Sequence, residues 1–141
     1  MIHEAAAKGF ESGSDAYERG RPSFPKEAVD RMALEIGLAR PGALIVDLGA
    51  GTGKFTELLA EHPLRRADLV AVEPVRAMRE KLIGKKLAGC RVVEGAAERL
   101  PFGDASVDAV TVAQAFHWFD GDRALAELAR VLKPGGKLAL V

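Results

Sequence analysis

Residues 44–55 read LIVDLGAGTGKF. A strand-length run of buried-type residues carries one aspartate, Asp47, and then stops on Gly49, Gly51 and Gly53, which alternate with small residues. Glycine leaves no Cβ in the way of a close approach, so a glycine staircase at a strand end marks a place where backbone passes near something else. The fold must therefore bury this strand and also leave room at its carboxyl end.

The rest of the chain shows which fold does both. Pro25 opens a helix, since proline suits a first turn, with Ala28, Val29, Met32, Ala33 and Ile36 as its apolar stripe and Gly37 at its end. Strands are predicted over 43–48, 68–73, 90–95, 107–113 and 137–141. Helices are predicted from Gly53 to Ala60, with Phe55, Leu58 and Leu59 on one face, and from Pro74 to Leu82. A further helix is capped by Asp120, carries Ala124, Leu125, Leu128 and Val131 toward a core, and is broken by KPGG before the last strand. Strands that alternate with helices and are apolar on both faces imply α/β architecture, a doubly wound parallel sheet with helices on both faces. In such sheets ligands bind outside the carboxyl ends of the strands. The expected division is an arm over 1–24 followed by one ligand-binding domain over 25–141.

Composition narrows the partners. Twenty basic and twenty acidic residues cancel, which argues against nucleic acid or an anionic membrane surface. The chain shows no apolar run of membrane-spanning length and no signal-like block, and its single cysteine, Cys90, has no internal partner; a cytoplasmic setting is expected. Cys90 opens an apolar run and reads as a buried thiol rather than a nucleophile.

Three ligands use a glycine turn after a first strand. A Walker loop would need glycine at Leu48 and a hydroxyl at Phe55, so that reading fails twice. A dinucleotide fingerprint would need its third glycine at Lys54, one residue beyond Gly53. The third is S-adenosylmethionine, whose amino-acid end has no pyrophosphate to neutralise and whose ammonium Asp47 would serve directly or through water. Glu73, which ends the second predicted strand, is placed to accept hydrogen bonds from both ribose hydroxyls; it supports a ribose under either of the last two readings.

VDLGAGTGKFT, VEPVRAMR, GAAERLPFGDASVDAVTVAQAFHWFD and RVLKPGGKLALV, in that order, resemble the successive motifs of class I S-adenosylmethionine-dependent methyltransferases, in the small-molecule branch called the type 11 methyltransferase domain. AQAFHWF, with YERGRPSFP upstream, is similar to members near the trans-aconitate methyltransferases. The resemblance runs from about Tyr17 to Val141 and implies a Rossmann-like sheet, S-adenosyl-L-methionine as cofactor with S-adenosyl-L-homocysteine as product, no metal, and a small-molecule acceptor such as a carboxylate or hydroxyl.

Carried onto this chain, the resemblance implies that Asp47, Gly49, Ala50, Gly51 and Gly53 cradle the methionine moiety and that Glu73 holds the ribose. Pro74 and Met78 would pack near the adenine, Met78 serving there or in the core. Ala96 stands where relatives often carry an aspartate that reads the adenine amino group, so Ala97 backbone or the Glu98 side chain would substitute. Ala113 and Gln114 would lie beside the methionine portion, and Phe116, His117, Trp118 and Phe119 would wall the donor from the acceptor. His117 is the candidate catalytic base, with acceptor ligand and structural residue as open alternatives; His3 and His62 lie in polar segments. Tyr17, Arg19 and Arg21 belong to an arm that would touch donor or acceptor, an arginine suiting an anionic acceptor. The basic run 79–91 reads as a solvated helix face.

The family's sheet usually has seven strands, and this sequence supplies five, so the reading is a truncated version of a longer enzyme. Its strand 137–141 would then be an open apolar edge, a place for a homodimer to form. The alternative function is a non-catalytic domain that binds S-adenosylmethionine or S-adenosylhomocysteine.

Overall fold

The computed structural model describes residues 24–141. The expected arm, with Tyr17, Arg19, Arg21 and His3, lies outside the described residues. The elements follow the expected alternation: α1 (Lys26–Glu35), β1 (Leu44–Leu48), α2 (Lys54–Ala60), β2 (Asp68–Val72), α3 (Arg76–Gly84), β3 (Cys90–Val93), β4 (Val107–Val112), a 3-10 turn (Phe116–Trp118), α4 (Gly121–Val131) and β5 (Leu132–Leu140).

The five strands form one sheet in the order β3-β2-β1-β4-β5. Every pairing is parallel. Because strand side chains alternate between faces, each strand feeds two cores. Ile45, Leu69 and Ala109 face α1 and α2 through Val29, Ala33, Phe55 and Leu59. On the same face Ala71 packs with Leu82 of α3. Val46, Leu48, Val70, Val72, Val110 and Val112 point the other way, against Ala124, Leu128 and Val131 of α4. The chain leaves β1 toward β2 and β3, then crosses to β4 and β5, so the switch point lies between β1 and β4.

Three expectations need correction. Leu125 is not a core residue: it is 49% exposed, because Ala124, Leu128 and Val131 already fill the stripe that α4 presents to the sheet. Ala28 is likewise exposed on α1. KPGG does not separate α4 from the last strand, since β5 begins at Leu132 directly after the helix. Residues 133–136 are instead a bulge inside the strand: the register steps from Val107↔Leu132 to Ala109↔Lys137. A Cβ on Gly136 would stand 2.8 Å from the Lys133 carbonyl oxygen and 3.1 Å from that of Asp108, so glycine is what lets the bulge fold back on the strand.

Candidate functional site

A cleft opens along the carboxyl ends of the central strands, where ligand sites fall in open α/β sheets. Leu48, Gly49 and Gly51 line it after β1, Glu73, Pro74 and Met78 after β2, Gly95, Ala96, Ala97 and Glu98 after β3, and Gln114, Ala115, Trp118 and Phe119 after β4. Ten of the residues expected from the sequence are brought together here: Gly49, Gly51, Glu73, Pro74, Met78, Ala97, Glu98, Gln114, Trp118 and Phe119.

Glu73 stands at the middle of the cleft and is 4% exposed. Its Oε1 accepts the Gly51 N–H at 2.8 Å and its Oε2 accepts the Val75 N–H at 2.7 Å. One carboxylate thus locks the glycine turn to the start of α3, while each oxygen retains acceptor capacity for a further donor. Burial raises its pKa above the ordinary carboxylate value, against the two backbone N–H bonds and Arg79, which lower it.

The three glycines do different things. A Cβ on Gly49 would come within 2.9 Å of the Ala115 Cβ and 3.2 Å of the Phe119 ring, so the bare Cα lets the β4 loop rest on the turn. Gly51 lines the cleft and donates to Glu73. Gly53, at φ 93°, does not reach the cleft lining; the space its side chain would need is taken by Leu82 of α3. Its role is packing between the turn and α3, with a backbone conformation that side chains resist.

Asp47 also departs from expectation. It is 1% exposed and absent from the cleft wall, and its carboxylate accepts the hydroxyls of Thr56 at 2.6 Å and Thr111 at 2.8 Å. Strand parity is the cause: Asp47 shares the face of Ile45, which lies under α2, so it ties β1 to α2 and β4 beneath the turn. Ala50 and Ala113 are buried at 5% each and lie behind the wall, not on it.

The aromatic segment divides for a geometric reason. Phe116, His117 and Trp118 form a 3-10 turn, in which successive side chains point about 120° apart. Phe116 packs toward the α4 core and meets Phe119 edge-on at 5.7 Å between ring centres. Trp118 turns into the cleft. His117 is exposed, off the cleft wall, with its ring 4.6 Å from that of Trp118.

Among the lining residues no signal was drawn from Leu48, Gly95 or Ala115. Gly95 could have been suspected as the glycine that ends the predicted strand 90–95: a Cβ there would stand 2.8 Å from Val72 and 3.1 Å from Pro101. Both charged side chains on the described wall, Glu73 and Glu98, are acids. Such a wall suits hydroxyls, amines or a cation and repels a phosphate. Aromatic faces at the β4 end add to that preference.

Residues 46–140 match the model of a family described as "Methyltransferase domain". An uncharacterised methyltransferase of Mycobacterium tuberculosis is 48% identical over 132 residues, which are 94% of this chain and 51% of that protein. A malonyl-[acyl-carrier protein] O-methyltransferase of Methylococcus capsulatus is 42% identical over 72% of this chain and 38% of its own length. Among solved structures, an S-adenosylmethionine-dependent methyltransferase of Thermotoga maritima, described as a possible histamine N-methyltransferase, is 31% identical with a TM-score of 0.65, covering 93% of this chain and 58% of that one. A methyltransferase of Methanococcus maripaludis shares the fold at TM-score 0.72 and 22% identity, over 96% of this chain and 62% of that one. The chain spans about half the length of the first curated relatives it matches.

Proposed function

The chain belongs to the methyltransferase domain family, and from that membership we propose that it binds S-adenosylmethionine across the ends of β1, β2 and β3 and serves methyl transfer to a small-molecule acceptor on the β4 side. The bound cofactor would supply an electrophilic methyl group on a sulfonium sulfur. The observation that carries the reading is Glu73: a buried carboxylate at the centre of the cleft, already oriented by two backbone N–H groups and able to accept from a vicinal diol.

The chain's own residues then have separable tasks. Gly49 and Gly51 admit the amino-acid end to the turn, and Glu73 holds the ribose. Pro74 and Met78 pack against the base, the Met78 thioether giving a soft contact to an aromatic ring. Trp118 and Phe119 present aromatic faces to the positive sulfur and exclude water from it. An in-line displacement at carbon gains chiefly from such positioning, and a carboxylate acceptor requires no base. His117, exposed and off the wall, is assigned to the acceptor side rather than to proton removal. Asp47 acts from below, holding the turn through Thr56 and Thr111. The edge of β5, where Leu140 is 56% exposed, is proposed as the site of pairing with a further strand or a second copy.

Calorimetric titration with S-adenosylhomocysteine, with NADH as control, tests the reading. Micromolar binding of the first compound alone supports it. Binding of NADH, or of neither by the folded chain, overturns it.

A further inference from the structure

The β4 loop is fastened at three points. Gln114, a non-glycine residue at φ 52°, donates its N–H to the Val141 carbonyl at 2.9 Å and so ties the start of the loop to the end of β5. In the middle, Ala115 and Phe119 rest against the bare Gly49 Cα. At the far end the Asp120 N–H donates to Glu98 Oε2 at 2.9 Å. Glu98 belongs to the loop after β3 and itself lines the cleft. The Asp120 side chain is engaged elsewhere, capping α4 through the Arg123 N–H at 3.4 Å. The hydrogen bond that Glu98 accepts therefore crosses from one end of the cleft to the other, and the residue that donates it directly follows Trp118 and Phe119.

We propose that Glu98 is a positioning residue: by holding the Asp120 N–H it sets where Trp118 and Phe119 stand over the glycine turn, and it couples occupancy of the β3 end of the cleft to the shape of the acceptor wall. The coupling rests on the cofactor reading above; the placement of the wall does not. A charge-assisted bond to a backbone N–H is strong enough to bias a short loop between two positions. The strained conformation of Gln114 supplies a pivot, since a side-chain-bearing residue keeps positive φ only where its surroundings hold it there.

Trp118 is the chain's single tryptophan, so its fluorescence reports this wall and nothing else. Compare the ligand-free chain with Glu98→Ala and Glu98→Gln, far-UV circular dichroism confirming that each is folded. The expected result is red-shifted emission and a severalfold rise in acrylamide quenching in Glu98→Ala, with Glu98→Gln near the parent because its amide oxygen still accepts the Asp120 N–H. Unchanged quenching in Glu98→Ala overturns the proposal. Titration with S-adenosylhomocysteine then tests the coupling. The parent should show a saturating Trp118 response at the calorimetric affinity, and Glu98→Ala, titrated to its own calorimetric saturation whatever its affinity, should show no such response. A full response in Glu98→Ala overturns the coupling alone. Absence of calorimetric binding by the parent removes the coupling together with the cofactor reading, while the ligand-free comparison still decides the placement of the wall.

Discussion

Acidic residues at the two rims of the sheet are used in opposite ways. Near the amino end, Asp108 accepts the Leu44 N–H at 2.8 Å and stands 3.2 Å from Arg40 and 3.3 Å from Lys133. Along the loop that enters β4, Glu127 accepts the Leu100 N–H at 2.6 Å and pairs with Arg130 at 2.7 Å. Arg130 in turn reaches the carbonyls of Leu100 and Phe102 and the Asp104 carboxylate. Both acids sit below their ordinary pKa, Asp108 chiefly through the Leu44 N–H, and Glu127, at about 2, chiefly through Arg130. At the carboxyl rim Glu73 is buried and its pKa is raised. The paired acids stabilise the fold when charged, whereas the buried one opposes it when charged and lines the cleft.

The sharpest way to break this contrast is Glu73→Ala. It should lower S-adenosylhomocysteine affinity by about 100-fold or more, the loss expected from two hydrogen bonds to a charged acceptor, alongside a fall in thermal midpoint as the Gly51 and Val75 N–H groups lose their acceptor. A large fall in midpoint with affinity intact would make Glu73 a structural residue like Glu127. The converse change, Glu127→Ala, should cost about 2 kcal/mol in denaturant unfolding, because it leaves the Leu100 N–H and the Arg130 guanidinium without their acceptor. Ligand affinity should hold within about twofold, since Glu127 lies off the cleft wall.

Acid separates the rims by sign. The contribution of Glu127 is complete above the ordinary glutamate value of 4.5 and is lost as pH falls through about 2; Asp108 acts in the same direction. For Glu73 the sign reverses: its contribution is complete below 4.5 and is lost as pH rises through its raised value. If Glu73 holds the ribose as proposed, ligand affinity should therefore begin to fall on acidification at a pH where Glu127 still stabilises the fold. Parallel calorimetry and unfolding from pH 7 down to about pH 2 would show whether the two midpoints separate; coincident midpoints would remove the distinction. The smallest effect expected is His117→Ala, which should change S-adenosylhomocysteine affinity by less than about twofold because the ring is exposed and off the cleft wall.

Much of this was legible in the sequence because local patterns have local causes. Apolar runs ending in LGAGTG and in VEP mark two strand ends, and the distance between them requires a crossover, so β1, β2 and the glycine turn follow from spacing alone. Pro25 and Asp120 stand at the N-caps of α1 and α4, because caps and first turns act within a few residues. Even the place of Asp47 under α2 was implicit in strand parity, although its chemistry pointed toward a ligand.

What the sequence could not decide depends on contacts between distant residues. Gly49 and Gly53 look alike in the chain, yet one admits Ala115 and Phe119 and the other makes room for Leu82, partners 29 to 70 residues away. The sequence by itself determined the parallel α/β sheet, the glycine turn and the acid after β2, since periodicity and turn chemistry are properties of neighbouring residues. Only the tertiary structure decided which residues face the cleft. That choice rests on strand parity at the sheet, the roughly 120° spread of the 3-10 turn, and the bond from the Asp120 N–H to Glu98 that brings two loops together across it.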